Sequence, residues 1–190
     1  MQNGLNTLGL ELDESSQMKK RHSLPKRPSK YDTFLAWLGC FLSISTIALL
    51  AQIQELDQQG SLFLTGSFGA TAVLIFGLPD SPYAQPRNVL GGQLIAAIIG
   101  VSMHKIMPDI VWLASALAVS TTVVGMHYFR VIHPPGGATA LIAVIGGSKV
   151  HGLGYTFVFT PVLTGAVLMI IMAIALNNMR PDKPRYPHYW

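Results

Sequence analysis

The residues with the strongest chemical character are Val131-Ile132-His133-Pro134-Pro135-Gly136-Gly137-Ala138-Thr139-Ala140, which run on into an apolar segment ending at Gly146-Gly147. Two prolines remove backbone donors and disfavour a helix through His133. Two glycines then leave the backbone bare before small and branched residues resume. The pattern predicts an extended lead-in followed by a helix whose first N–H groups are exposed. A helix start offers four N–H groups without intrahelical partners and a partial positive charge, which suits a small anion. His133 is the one titratable residue of the unit. As a cation it would hold an anion, and as a neutral donor it would relay a proton; the plainer alternative is an interfacial histidine capping a turn.

The elements that must position this unit are membrane helices. Half of the 190 residues are hydrophobic and 12% are charged, with a mean hydropathy of +0.41, too apolar for an ordinary soluble domain of this size. Lys19, Lys20, Arg21, Lys26, Arg27 and Lys30 crowd the N-terminal tail, and Arg180, Lys183 and Arg185 the C-terminal one. Between Thr33 and Met179 the full charges are Glu55, Asp57, Asp80, Arg87, Lys105, Asp109, Arg130 and Lys149, all between apolar stretches. The net charge of +4 is therefore a topology signal rather than a nucleic-acid footprint. The expected surroundings are a lipid bilayer, with no nucleic-acid partner.

Several functional classes find no support. The lone Cys40 allows no disulfide framework or CxxC site. His104, His127 and His151 have no metal-ligand spacing with carboxylates or cysteine, so no metal and no cofactor are expected. No Ser-His-Asp arrangement, phosphate loop or dinucleotide glycine pattern is present, and no paired acid and base suggest an intramembrane enzyme. The expectation is a protein that is not an enzyme.

A spanning helix needs about 20 apolar residues. Candidates run over about 33–53, 61–78, 89–107, 110–129, the short stretch after His133, and 155–176. The expected class is an all-α integral membrane protein with about six transmembrane segments. Residues 1–30 read as a disordered basic cytoplasmic tail, 31–178 as the transmembrane domain, and 179–190 as a second cytoplasmic tail. Basic tails on one side and an acidic first loop on the other agree with six crossings and cytoplasmic termini. The N-terminal tail has neither the apolar region of a secretory signal nor the acid-poor composition of a transit peptide, which favours a bacterial or cyanobacterial inner (plasma) membrane over a plastid one.

An internal repeat organises these spans. Gly69-Ala70-Thr71-Ala72 reappears as Gly137-Ala138-Thr139-Ala140, and Val89-Leu90-Gly91-Gly92 is echoed by Val162-Leu163-Thr164-Gly165. The order suggests two three-span units, about 32–107 and 110–177, necessarily inverted relative to one another because three is odd. In that plan, Gly-interrupted segments two and five are half-helices of about 15 Å whose N-termini oppose each other near the bilayer midplane. The candidate substrate-binding residues are His133, Pro134, Pro135, Gly136, Gly137, Thr139, Gly69, Thr71 and Arg87: glycines for close backbone approach, threonines for hydroxyl donors, and Arg87 for gathering anions in an inner vestibule. The plainer role of the glycines is close helix packing.

These residues resemble the HPP family of integral membrane proteins, named for the triplet found here as His133-Pro134-Pro135. The resemblance rests on His133–Ala140, Gly69–Ala72, and Ser81-Pro82-Tyr83-Ala84-Gln85-Pro86-Arg87-Asn88 leading into Gly91-Gly92, and covers about 31–178. It implies a membrane protein usually described with four spans and thought to be a transporter, with nitrite transport attributed to plastid and cyanobacterial members. The CBS-type regulatory domains of some relatives have no counterpart in this sequence, so no nucleotide-sensing role carries over. The expected function is transport of a small monovalent anion, nitrite first. The competing expectation is a non-transporting scaffold or sensor that docks a partner through its basic N-terminal tail; deleting residues 1–30 would spare a transporter and disable a docking module. So few short spans bury little interior, which is compatible with a homo-oligomer.

Overall fold

The computed structural model describes residues 27–53, 66–181 and 183–190; residues 1–26 of the expected tail and the acidic loop with Glu55 and Asp57 lie outside them. Among the described residues the regular structure is all helical. The helices are α1 (Lys30–Ile53), α2 (Gly66–Gly77), α3 (Pro86–Ile106), α4 (Val111–Phe129), α5 (Pro135–Ile145), α6 (Gly147–Leu153) and α7 (Val158–Asn177). A short 3₁₀ turn at Pro82–Ala84 precedes α3. Four helices, α1, α3, α4 and α7, are long and apolar enough to cross a bilayer; α2 and α5 are apolar but shorter.

The two outer helices bury very little. In α1 the buried positions are Leu35, Gly39, Ser43, Ile47 and Ala51, one stripe at every fourth residue. In α4 they are Ala114, Ala118, Thr122 and Met126, with the same spacing. The remaining faces carry exposed large apolar groups, including Trp37 at 59% and Trp112 at 75%. That surface would be costly in water and is at home against lipid.

Inside, lipid supplies no hydrophobic drive between helices, so close packing of small residues must hold them. Along α3, Gly92, Ala96 and Gly100 form a groove one residue wide against Gly136, Ala140 and Ala143 of α5. A Cβ on Gly100 would lie 2.5 Å from the Ala140 carbonyl oxygen, so the two backbones touch. On the other side of the bundle, a Cβ on Gly165 of α7 would lie 2.7 Å from the Phe68 ring and 2.8 Å from Ile47. Thus α3 packs on α4 and α5, while α7 packs on α1 and α2.

The helix starts differ from expectation. Gly69 lies inside α2, already helical at Gly66. Helix α5 begins at Pro135 rather than Gly137: its fixed φ and missing N–H suit the first helical position. Arg130 closes α4 in the left-handed conformation (φ 56°, ψ 45°), and the Val131 N–H reaches back to the Met126 carbonyl at 2.9 Å. This turn delivers the chain into the 131–134 lead-in. Helix α7 is broken at Thr160 (φ −135°, ψ 113°), just before Pro161.

Candidate functional site

A chain of buried polar side chains joins α2, α3, α5 and the His133 lead-in. Ser67, Thr71, Gln93, His133 and Thr139 are all buried, His133 at 0% exposure. The Thr139 hydroxyl donates to Gln93 Oε1 at 2.5 Å. Gln93 Nε2 donates to Thr71 Oγ1 at 3.3 Å, and Thr71 Oγ1 lies 3.1 Å from His133 Nε2. Ser67 Oγ lies 2.6 Å from Thr139 Oγ1 and 3.2 Å from the Pro135 carbonyl oxygen. Since the Thr139 hydrogen is directed at Gln93, Ser67 donates, to Thr139 or to Pro135.

The histidine tautomer follows from its partners. His133 Nδ1 lies 2.9 Å from the Tyr83 carbonyl oxygen. A carbonyl only accepts, so Nδ1 carries the hydrogen, and in the neutral ring Nε2 accepts from Thr71. Every side chain in the chain of contacts therefore has a partner, as buried polar groups require.

Two glycines of α3 form the floor beneath the lead-in. A Cβ on Gly92 would lie 2.5 Å from His133 Cβ, and one on Gly91 2.8 Å from Val131 Cγ1. One turn earlier on the same helix, Asn88 Nδ2 donates to the Ile132 carbonyl at 2.9 Å. His133 is thus fixed by Gly92 and Asn88 of α3 and by the Tyr83 carbonyl at its Nδ1.

The loop bearing Tyr83 is itself strapped down by the C-terminal residues. The Tyr186 hydroxyl donates to the Ala84 carbonyl at 2.7 Å, and the His188 N–H to Gln85 Oε1 at 2.8 Å. Tyr189 Oη lies 3.1 Å from the Pro82 carbonyl and 3.3 Å from Asn88 Oδ1. Tyr186 is only 2% exposed, and that burial pushes its phenol well above the ordinary tyrosine range.

The depth of the network follows from helix rise. Thr71 lies six residues before the end of α2 and Ser67 ten, about 9 and 15 Å at 1.5 Å per residue. The antiparallel N-terminal turns of α2 and α5 pass each other there, 133 beside 71 and 139 beside 67.

The sequence-predicted site residues separate into two groups. His133, Thr71 and Thr139 meet in the network, and Pro135 joins through its carbonyl. Gly136 is buried, where an added Cβ would lie 3.1 Å from the Gly92 carbonyl. Gly69 and Gly137 are half-buried and do not face one another: a Cβ on Gly69 meets nothing within 4 Å, and one on Gly137 meets only Val119 at 3.9 Å. Pro134 is exposed. Pro134 and Gly137 border an apolar recess of about 280 Å³ on the α4 side, where buried Thr122 Oγ1 has no hydrogen-bond partner among the described residues. Arg87 is exposed, with Nη2 3.5 Å from the Phe129 carbonyl, away from the network.

Sequence reasoning missed Ser67, Gln93 and the carbonyl of Tyr83. Gln93 had a signal, an amide well inside a membrane span, where polar side chains commonly hydrogen-bond across helices. It also missed Arg180, buried at the end where α2 finishes, which donates from Nη2 to the Phe76 carbonyl at 2.8 Å and lies 3.9 Å from Asp32. At the opposite end, His104 and His151 stack with ring centroids 3.6 Å apart, and Lys105 lies over the Tyr155 ring at 5.7 Å.

Comparison with known proteins places these features in a wider group. Residues 25–187 match the family described as the HPP transmembrane region, so the match takes in Tyr186 as well as the helices. Two transmembrane proteins of Dictyostelium discoideum are each 40% identical over 169 residues, 87% of this chain, covering 53% of one relative and 58% of the other. The chain thus spans little more than half the length of these relatives. No solved structure matches it.

Proposed function

The chain belongs to the HPP transmembrane family, and from that premise we propose that it carries a small monovalent anion across the membrane, with nitrite the first candidate. One observation carries this reading: five uncharged polar side chains, drawn from two short helices, the lead-in to the second and a neighbouring long helix, are hydrogen-bonded together inside a bundle whose outer faces are apolar. Polar groups inside a membrane protein are costly and tend to mark substrate paths. Hydroxyls and an imidazole near two helix N-termini, with an amide from within α3, give an anion donors without a permanent buried charge.

The inverted-repeat plan fits the contacts. In the Gly-Ala-Thr-Ala register Phe68 corresponds to Gly136, and in the Val-Leu register Gly92 corresponds to Gly165. Gly136 sits against Gly92, and Phe68 sits against Gly165. Equivalent positions therefore make crosswise equivalent contacts, each third long helix packing on the other unit's short one. In this reading α2 and α5 are crossings about eight or nine residues short of a full span, six crossings return the C-terminus to the cytoplasmic side, and Arg87, Arg130 and Arg180 mark that side. The anion passes the recess beside Gly137 and meets Thr139, Gln93, Thr71 and His133. The residues perform no bond-breaking chemistry; they exchange hydrogen bonds with a solute.

The test is flux into liposomes reconstituted with purified protein, comparing nitrite, nitrate, formate and chloride against protein-free vesicles. Saturable, nitrite-preferring uptake is expected, falling to background in His133→Ala and in Gly137→Leu, whose side chain fills the recess. Full activity in both variants would move the site elsewhere. Absence of protein-dependent flux for every anion, with the protein inserted and helical, would sink transport and favour the scaffold reading.

A further inference from the structure

We propose that His133 is a proton-binding site and that the anion crosses together with a proton as an electroneutral pair. The inference rests on the transport reading above and adds the co-transported ion. It comes from the partners of the imidazole. Nδ1 faces the Tyr83 carbonyl, an acceptor that holds N–H in either protonation state. Nε2 faces Thr71 Oγ1, which both donates and accepts. Thr71 has a second acceptor in reach, the Ser67 carbonyl at 3.3 Å.

These three contacts make the site complete in both states. With His133 neutral, the Thr71 hydroxyl donates to Nε2. When a proton adds to the Nε2 lone pair, Nε2–H donates to Thr71 Oγ1 and the threonine hydrogen rotates to the Ser67 carbonyl. Thr71 Oγ1 then accepts from Nε2–H and from Gln93 Nε2–H, filling its two lone pairs. No backbone moves, and every polar atom of His133 and Thr71 keeps a partner. A histidine needed only for packing or capping would have no use for an amphoteric partner with a fallback acceptor.

Charge then couples the proton to the anion. No charged side chain hydrogen-bonds the ring among the described residues: on the Tyr83 loop and the C-terminal strap behind it, Asp80 and His188 are exposed and pair with each other at 3.4 Å. Neither α2 nor α5 contains a titratable residue. Arg87 of α3 and His127 and Arg130 at the end of α4 are exposed, as is the Tyr83 phenol. An imidazolium there, buried and without a counter-ion, is strongly disfavoured. A monovalent anion that takes the second Gln93 Nε2 hydrogen supplies the counter-charge, so each ion raises the affinity for the other by the same factor. The pair enters and leaves as a neutral unit: the proton is bound at Nε2 on one side and released from it on the other.

The experiment separates coupling from transport. Nitrite uptake by the reconstituted full chain is measured with a pH gradient and no membrane potential, then with a potential and no pH gradient, subtracting protein-free vesicles in each case. An inward gradient of one pH unit should drive about tenfold accumulation, and the potential should drive none. Uptake that follows the potential and ignores the pH gradient overturns the coupling while leaving transport standing. No protein-dependent flux under either condition overturns both. In His133→Gln, which keeps hydrogen-bonding capacity but takes no proton, pH-driven accumulation should vanish; its persistence overturns the assignment. Thr71→Val provides an independent variant, expected to lower pH-driven uptake at least tenfold, with rescue by Thr71→Ser. Wild-type accumulation in Thr71→Val also overturns it.

Discussion

Helices α2 and α5 share Gly-Ala-Thr-Ala, and each presents its threonine to Gln93, yet they are held by opposite means. Helix α2 is held by large side chains: Phe68, Ile75 and Phe76 are fully buried in one cluster with Ile47 of α1 and Met169 of α7, and Phe68 and Phe76 fill the hollows left by Gly165 and Gly39. Helix α5 is held by the lack of side chains, with Gly136, Ala140 and Ala143 against Gly92, Ala96 and Gly100. Ring-into-glycine packing leaves the backbones apart; backbone-to-backbone packing fixes them closely. The contrast explains why the imidazole belongs to the α5 side: His133 sits at the tighter contact, where its position is set by Gly92 and the Tyr83 carbonyl together.

The largest expected effect lies on the α2 side. Phe68→Ala should empty the space over Gly165 and cost about 3–5 kcal/mol, seen as a lowered thermal midpoint or loss of monodisperse protein in detergent. Next comes Gly100→Leu on the α5 side, where the added Cβ meets backbone rather than a movable side chain; overpacking of about 1–3 kcal/mol is expected. Its control is Gly69→Ala, where the new methyl meets nothing within 4 Å, so stability should hold or rise by about 0.5–1 kcal/mol. Equal effects of Gly100→Leu and Gly69→Ala would break the comparison.

Gln93→Leu tests what the two helices share. It removes the acceptor of Thr139 and a donor to Thr71, for a loss of about 1–3 kcal/mol. At about 2–4 °C per kcal/mol for a chain of this size, the thermal midpoint should fall by several degrees, and flux should fall with it. An unchanged midpoint would mean that the two threonines do not depend on the amide.

The smallest effect concerns the strap behind Tyr83. Tyr186→Phe removes the bond to the Ala84 carbonyl and should cost about 0.5–1.5 kcal/mol. The sign of its pH dependence is fixed by burial, which raises the phenol above its ordinary value. The folded state favours the neutral phenol, so the contribution is fully present below about pH 10 and is lost as pH rises beyond it. Melting wild type and variant side by side from pH 7 to 11 should show a constant gap that changes only at the alkaline end; a gap varying near neutrality would assign the effect to another group.

Much of this was legible locally. The edges of the third and fourth spans were expected at about 89–107 and 110–129 and lie at Pro86–Ile106 and Val111–Phe129, because apolar length and the Pro108-Asp109 break are properties of neighbouring residues. His133-Pro134-Pro135 announced a helix start for the same reason. The depth of His133 was less legible: an interfacial cap and a fully buried ring share one local sequence. Gly69, Gly136 and Gly137 drew attention together as glycines, but of the three only Gly136 makes a close backbone approach, alongside Gly92 and Gly100 of α3; which glycine faces a neighbour depends on the rotation of its helix.

That rotation marks the division between sequence and tertiary structure. The sequence by itself determined an apolar helical membrane protein, with two short glycine-interrupted segments, a proline-forced helix start and basic ends. A helix that is apolar all round has no polar face to reveal its interior side, so the buried stripes of α1 and α4 leave no periodic signal in hydropathy. Only the tertiary structure decided that Gln93 bridges Thr71 and Thr139, that the Tyr83 carbonyl fixes the His133 tautomer, and that the C-terminal residues fold back onto the loop before α3. These contacts join positions 22 to 103 residues apart, and it is the packing of the helices that brings them within hydrogen-bonding distance.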